Sequence, residues 1–184
     1  MSPMVKLPLT MEHALLGFLV HRPMHAYEMH QTLKETHALG LVWHLKQSQL
    51  YALLARLEDA GYLTTVTEPQ GSRPPRKIMH LTISGHEAFQ HWLRTPVAHG
   101  RDFRQEFLAK LYFAQGESPE TIVSLAEHQR FACQRWLVAL ETDTATCEPR
   151  SYDWLVLQFR IGQVQAILAW LDTCMATLVD PLPV

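Results

Sequence analysis

Between Lys46 and Lys77 the chain sets out hydrogen-bonding and cationic side chains at a spacing suited to duplex nucleic acid. The segment QSQLYALLARLEDAG carries Leu50, Leu53, Leu54 and Leu57 at helical spacing. Burying that stripe turns Gln49, Ala52 and Arg56 to the opposite surface, at i, i+3 and i+7. A glutamine there can pair with adenine, an alanine allows close approach or meets a thymine methyl, and an arginine reaches guanine or phosphate. Around the start of the helix, Lys46, Gln47, Ser48 and Tyr51 suit the phosphate contacts that fix position. Glu58 and Asp59 occupy the far end, where phosphate is repelled, so the N-terminal end is expected to meet the duplex.

Two strand patterns follow, YLTTVT and KIMHL, with PQGSRPPR between them. Pro69, Gly71, Pro74 and Pro75 predict a turn there, and Arg73, Arg76 and Lys77 put three positive charges around it. A helix followed by a basic-tipped hairpin is the arrangement of a winged helix, with the helix in the major groove and the hairpin on phosphate or the minor groove. Other elements must position these groups. Thr10 predicts a cap for a helix through MEHALLGFL that His21, Arg22 and Pro23 end, with Leu15, Leu16, Phe18 and Leu19 inward. A second helix is expected over His25 to Glu35, with Tyr27, Met29 and Leu33 supplying its inner surface. Leu39, Leu41, Val42 and Trp43 are expected to close the core around a short turn. Gly61 is a natural helix stop, and Thr82 predicts a cap for a helix through HEAFQHWLR that packs back through Phe89 and either Trp92 or Leu93.

Composition bounds the reading. The 184 residues hold one large domain or two small ones, and 47% hydrophobic with 18% charged residues is the balance of a folded globular chain. Up to Arg94 there are nine Lys and Arg against seven Asp and Glu; beyond it, seven against eleven. The basic half is compatible with DNA contact, and the acidic half suits protein pairing or sensing. No uninterrupted apolar run reaches the roughly 18 residues that span a bilayer, and the N-terminus lacks the parts of a secretory signal. No membrane partner is expected. Cys133, Cys147 and Cys174 are isolated, which suits a reducing cytoplasm.

From Thr95 to Gly100 a Pro- and Gly-containing stretch separates the halves, so the expected domains are 1–95 and 96–184. Phe103, Phe107 and Leu111 repeat at i, i+4 and i+8 on one helix. Ser118-Pro119-Glu120 has the order of an N-cap, first helical position and acidic first turn, and begins a long helix toward Leu140. Thr142 to Arg150 predicts a polar connection. The last helix, from beyond Ser151 to about Val179, carries more apolar surface than a lone helix buries, and a subunit interface explains the excess. His128, Phe131, Trp136, Tyr152 and Trp154 are candidates for lining an aromatic effector pocket.

The chain also resembles the PadR family of transcriptional regulators. LTMEHALLGFL is similar to that family's first helix, PMHAYEMHQTL to its histidine, Gly-Tyr-Glu segment, SQLYALLARLEDAGYL to its recognition helix, and GSRPPRKIMHLTISG to its wing and the helix after it. The resemblance implies recognition-helix roles for Ser48, Gln49, Tyr51 and Arg56 and wing roles for Arg73, Arg76 and Lys77. It further implies a homodimer on a palindromic duplex operator, repression, and release by a small aromatic or phenolic effector. Ala26 and Gln49 depart from the family pattern, so another member's operator does not transfer.

Other classes find little support. His21, His25 and His30 lack HExxH spacing, and no cysteine pair accompanies them, so no metal is expected. No nucleophile elbow, phosphate-cradling glycine loop or dinucleotide fingerprint occurs, so neither an enzyme nor a cofactor is expected. The fold expected is mainly α with a small β-hairpin: an N-terminal winged helix-turn-helix and a C-terminal helical dimerisation domain. An activator of the same fold, or an interaction module that never reads DNA, stands as the alternative.

Overall fold

The computed structural model describes residues 10–35, 37–70 and 73–179. In chain order these form α1 (His13–Gly17), α2 (Ala26–Glu35), α3 (His37–Gly40), α4 (Gln47–Asp59), β1 (Leu63–Gln70), β2 (Arg73–Leu81) and α5 (Ile83–Arg94). There follow α6 (Gly100–Asp102), a π-helical turn (Phe103–Phe107), α7 (Leu108–Gln115), α8 (Pro119–Thr146) and α9 (Tyr152–Leu178). The described residues make two compact units: those up to Leu93 with Leu108–Phe113, and Arg94–Phe107 with those from Ala114 onward.

In the first unit, α1 is shorter at both ends than MEHALLGFL predicts. Glu12, not Thr10, occupies the N-cap position, and its Oε2 accepts the Thr10 backbone N–H at 3.0 Å. The helix stops at Gly17, where a Cβ would lie 2.5 Å from the Phe113 ring. Phe113 in turn meets Phe18, Phe89 and Trp92 edge-on, with ring centroids 5.4, 5.6 and 6.4 Å away. Ala14, Leu15, Leu16 and Leu19 complete this core. Two expected core residues lie outside it: Leu41 follows α3 with 76% exposure, while Leu39 and Trp43 do the packing, and Tyr27 on α2 is exposed beside buried Met29 and Leu33.

Helix α4 buries Leu50, Leu54 and Leu57. Gly61, with φ +76°, ends it by adopting the left-handed conformation that glycine tolerates best. The antiparallel ribbon pairs Leu63 with Leu81, Thr65 with Met79 and Thr67 with Lys77. Its strands run further than YLTTVT and KIMHL predict and absorb Pro69, Pro74 and Pro75. A two-stranded ribbon has an unpaired edge on each strand, where the missing proline N–H breaks no ladder bond. Thr82 caps α5 as expected: its Oγ1 accepts the Gly85 N–H at 2.9 Å and donates to the Gly61 carbonyl at 2.8 Å.

In the second unit, Phe103 and Phe107 are buried as their spacing predicts, but the backbone between them is a π-helical turn. Their rings stack at 4.3 Å, with Trp170 of α9 edge-on to both. Ser118 caps α8, its Oγ accepting the Thr121 N–H at 3.3 Å. The helix continues through most of the expected connection to Thr146, leaving residues 147–151 as the link. Within this stretch Thr142 and Thr144 donate their hydroxyls to the Val138 and Leu140 carbonyls one turn back, which satisfies the polar groups without leaving the helix. Ser151 then caps α9, and Arg130 and Asp172 form an ion pair across α8 and α9. Helix α9 is long and apolar enough, by length and composition, to cross a membrane, although Asp153, Arg160 and Asp172 interrupt its apolar sequence. Cys133 and Cys174 are buried free thiols. Burial pushes both up, Cys174 to about 11, so both stay protonated near neutrality.

Candidate nucleic-acid interface

The leucine stripe of α4 packs inward and leaves Gln47, Ser48, Gln49, Tyr51 and Ala52 exposed on its first two turns, with Lys46 exposed just ahead of them. The side chain of Gln49 folds back over the helix start, its Oε1 accepting the Lys46 backbone N–H at 3.0 Å. A bidentate pair with adenine uses that oxygen as acceptor and the amide N–H as donor, and beyond the Lys46 bond the oxygen keeps one lone pair.

Arg56 is placed differently from the sequence expectation. Its Nη1 lies 2.5 Å from Oε1 of Glu12, a nearly buried carboxylate on the first turn of the fold, 44 residues away. A carboxylate this enclosed requires a cation, and Arg56 supplies it. The guanidinium therefore ties α4 to the start of α1. Substituting Arg56 with Met is expected to lower stability by about 2 kcal/mol, because it strands Glu12 without its partner. Urea unfolding measures this, and a midpoint equal to wild type would reject the structural role.

On the ribbon, Arg76 and Lys77 are exposed, opposite Glu68 and Thr67 respectively. Consecutive strand residues point to opposite faces, so the two cations sit on opposite sides of the ribbon and not around a single turn. The register shifts between Glu68 and Gln70. Arg73 opens β2, but its side chain, like Gly71 and Ser72, lies outside the described residues.

A second basic group beside the ribbon was not evident from the sequence. Met24 and Met79 exchange backbone hydrogen bonds at 2.9 and 3.3 Å, which fastens the segment before α2 to β2. Arg22 there pairs with Glu28, and His25 Nδ1 accepts the Glu28 backbone N–H at 3.1 Å. The Arg22 hydrogen bond, aided by the charges of Arg22, His25 and Arg76, holds the Glu28 carboxyl below the usual range. Its contribution is therefore fully present near neutrality and disappears only in acid, as pH falls through that lowered pKa. The basic run His21, Arg22 and His25 around Pro23 was the available signal, but only the Met24–Met79 bridge brings it to the wing.

The five aromatic and histidine candidates of the second half do not gather. Phe131 and Tyr152 are 62% and 79% exposed, His128 is exposed and Trp154 half-buried. Phe131 packs under the Arg135 guanidinium, 5.3 Å from its ring centroid. Of the five, Trp136 alone lines a cavity of about 380 Å³ in this unit. Among the described residues, no three His, Cys, Asp or Glu side chains gather as a metal site.

Comparison with known proteins matches residues 15–91 to the transcriptional regulator PadR-like family and residues 103–179 to a virulence activator alpha C-terminal family. The chain is 28% identical over 178 residues to the negative transcriptional regulator PadR of Bacillus subtilis, spanning 91% of this chain and 97% of that protein. It is 24% identical over 96 residues to a probable transcriptional regulator of Mycobacterium tuberculosis, spanning 52% of this chain and 50% of that one. Among solved structures it is similar to Bacillus subtilis PadR in complex with operator DNA, with 28% identity, a TM-score of 0.45, and coverage of 90% and 97% of the two chains. The same protein in complex with p-coumaric acid matches with 26% identity, a TM-score of 0.42, and coverage of 91% and 98%.

Proposed function

This chain belongs to the PadR-like family of transcriptional regulators, and on that premise we propose that it is a homodimeric repressor. It binds a palindromic duplex operator in the cytoplasm and leaves it when a small effector occupies its helical half. In this reading residues 1–95 read DNA, residues 96–184 pair subunits and sense the effector, and neither part catalyses a reaction. The carrying observation is the exposed first half of α4, with Gln47, Ser48, Tyr51 and Ala52 in a row, beside a ribbon that exposes Arg76 and Lys77. Hydrogen-bonding groups at a helix start suit base edges and phosphates, and ribbon cations suit the backbone. The name of the Bacillus relative favours repression, and its structure with p-coumaric acid makes phenolic acids the first effector class to screen.

Pairing is supported by the surface of α9. Tyr152, Leu155 and Phe159, at i, i+3 and i+7, form an exposed apolar row, and Phe131 and Val138 of α8 are also exposed. A second copy of the chain covers such a face, and two winged helices then read two half-sites. The pairing of Asp172 with Arg130 on α8 supports a protein-facing role for α9 over a membrane-spanning one.

Fluorescence anisotropy with labelled DNA from upstream of the gene, competed by scrambled duplex at physiological salt, tests the reading. Saturable binding that scrambled DNA competes poorly is the expected result. Reversing both wing charges, Arg76→Glu with Lys77→Glu, is expected to weaken binding by at least about 30-fold. The slope of log affinity against log salt should flatten by about 2. Equal competition by scrambled duplex would sink specific readout, and an unchanged salt slope would remove the wing from the interface.

A further inference from the structure

Two arginines and a histidine surround one carboxylate at the base of the wing, outside both the recognition helix and the wing tip. Arg22 precedes α2 and pairs with Glu28 on its first turn. His25 Nδ1 accepts the Glu28 backbone N–H at 3.1 Å and lies 3.6 Å from Glu28 Oε2. Because Nδ1 accepts that bond, the neutral imidazole carries its proton on Nε2, which is then the ring's donor. The Glu28 carboxyl, held low chiefly by its Arg22 hydrogen bond, also feels the charge of Arg76 on β2.

Two contacts place this cluster among the elements that meet DNA. Met24, between Arg22 and His25, exchanges backbone hydrogen bonds with Met79 of β2. Further along α2, buried His30 meets the Leu45 carbonyl through Nε2 at 3.3 Å, and Leu45 directly precedes Lys46 at the start of α4. The first turn of α2 is thus tied to the wing and, through His30, to the start of the recognition helix. A duplex held by those two elements passes its backbone across the helix before the recognition helix, as in other helix-turn-helix folds. The Arg22 and Glu28 side chains are 59% and 31% exposed, and an ion pair open to water is held weakly. A phosphate oxygen offers Arg22 the same charge-assisted bonds as the carboxylate does.

We propose that Arg22 and His25, aided by Arg76, form a second phosphate-binding site at the base of the wing, and that Glu28 occupies its anion position until the DNA backbone displaces it. The proposal rests on the reading of the chain as a DNA-binding regulator and adds a contact beyond α4 and the wing tip. Glu28 then acts as a brake. It lowers affinity for every duplex alike, since phosphates carry no sequence, and leaves more of the binding to base readout.

The test uses the full chain and fluorescence anisotropy over a salt series, with duplex from upstream of the gene and an unrelated duplex of equal length. Arg22→Gln is expected to weaken both complexes at least about fivefold and to flatten the slope of log affinity against log salt by about 1 per subunit. Arg22→Lys should keep the slope because it keeps the charge, a rescue that a purely structural role for Arg22 would not give. Glu28→Gln is expected to tighten both complexes at least about threefold, and to gain less when Arg22→Gln is already present. Arg104→Gln, the same charge change at an exposed residue of the second unit, is the control and should keep the wild-type slope. An unchanged slope in Arg22→Gln, a slope lost equally in Arg22→Lys, or no tightening in Glu28→Gln would each overturn the site. These slopes are read on the unrelated duplex, so they decide the site whether or not binding is specific. Equal affinity for the two duplexes rejects the specific regulator and leaves the site to its slopes. Specific binding with an unchanged slope in Arg22→Gln rejects the site alone, and no binding of either duplex at low salt rejects both.

Discussion

Replacing Leu155 and Phe159 together with aspartate is expected to leave the protein monomeric at micromolar concentration and to weaken operator binding by at least about 100-fold. Both side chains are more than half exposed on one face of α9, while the buried residues of that helix are Val164, Leu171 and Cys174. The substitutions therefore remove no side chain from the core that α9 shares with α8. Their effect falls on whatever covers the row. A dimer gains affinity because the second recognition helix binds as part of a molecule already held on the DNA, and charge in the interface removes that advantage. Light scattering after size exclusion reads the assembly, and circular dichroism checks that the helices persist. A dimer of wild-type affinity in the double variant would place the subunit contact elsewhere.

The second large effect is expected at Gly85. A Cβ there would lie 1.9 Å from the backbone carbonyl oxygen of Tyr62, and 2.9 Å from a Leu81 methyl. The carbonyl belongs to the turn between α4 and β1, and it also accepts the Thr82 N–H at 3.1 Å. No flexible side chain can yield, so the backbone must move and the junction of α4, the ribbon and α5 must open. Gly85→Ala is expected to destabilise the protein by about 3 kcal/mol, which lowers the melting temperature by about 10 °C for a chain of this size. Gly40→Ala is the control, since a Cβ at Gly40 meets nothing within 4 Å. Calorimetry that finds both variants melting with wild type would contradict the packing described at Tyr62.

Local signals in the sequence placed most elements. Ser118, Ser151 and Thr82 cap the helices they precede, Gly61 takes the conformation a helix stop requires, and Leu50, Leu54 and Leu57 of α4 are buried at the predicted spacing, with Leu53 half-buried beside them. These depend on neighbours within one turn, which the sequence displays directly. The differences arise where a distant residue decides. Glu12 displaces Thr10 at the start of α1 because its carboxylate is also the partner of Arg56, and nothing near either residue announces that pair. Prolines read as a turn lie in strands because a two-stranded ribbon leaves its outer edges unpaired. Of the aromatic candidates of α8 and α9, Phe131 and Tyr152 lie on the exposed surface and Trp136 and Trp154 are half-buried, since helical spacing tells which residues share a face but not what that face meets.

The aromatic nest around Phe113 governs how this chain can be cut. Phe113 fills the space beside Gly17 and meets Phe18, Phe89 and Trp92 edge-on, yet it arrives from α7, well after α5 has ended. A fragment that stops after α5 keeps every group proposed to touch DNA and loses the ring those three aromatics close upon. Its winged half would carry an open apolar socket, soften, and invite proteolysis and aggregation. A fragment extended through Gln115 retains the plug. Dissection of the molecule for separate study should follow that aromatic ring and not the proline-marked linker.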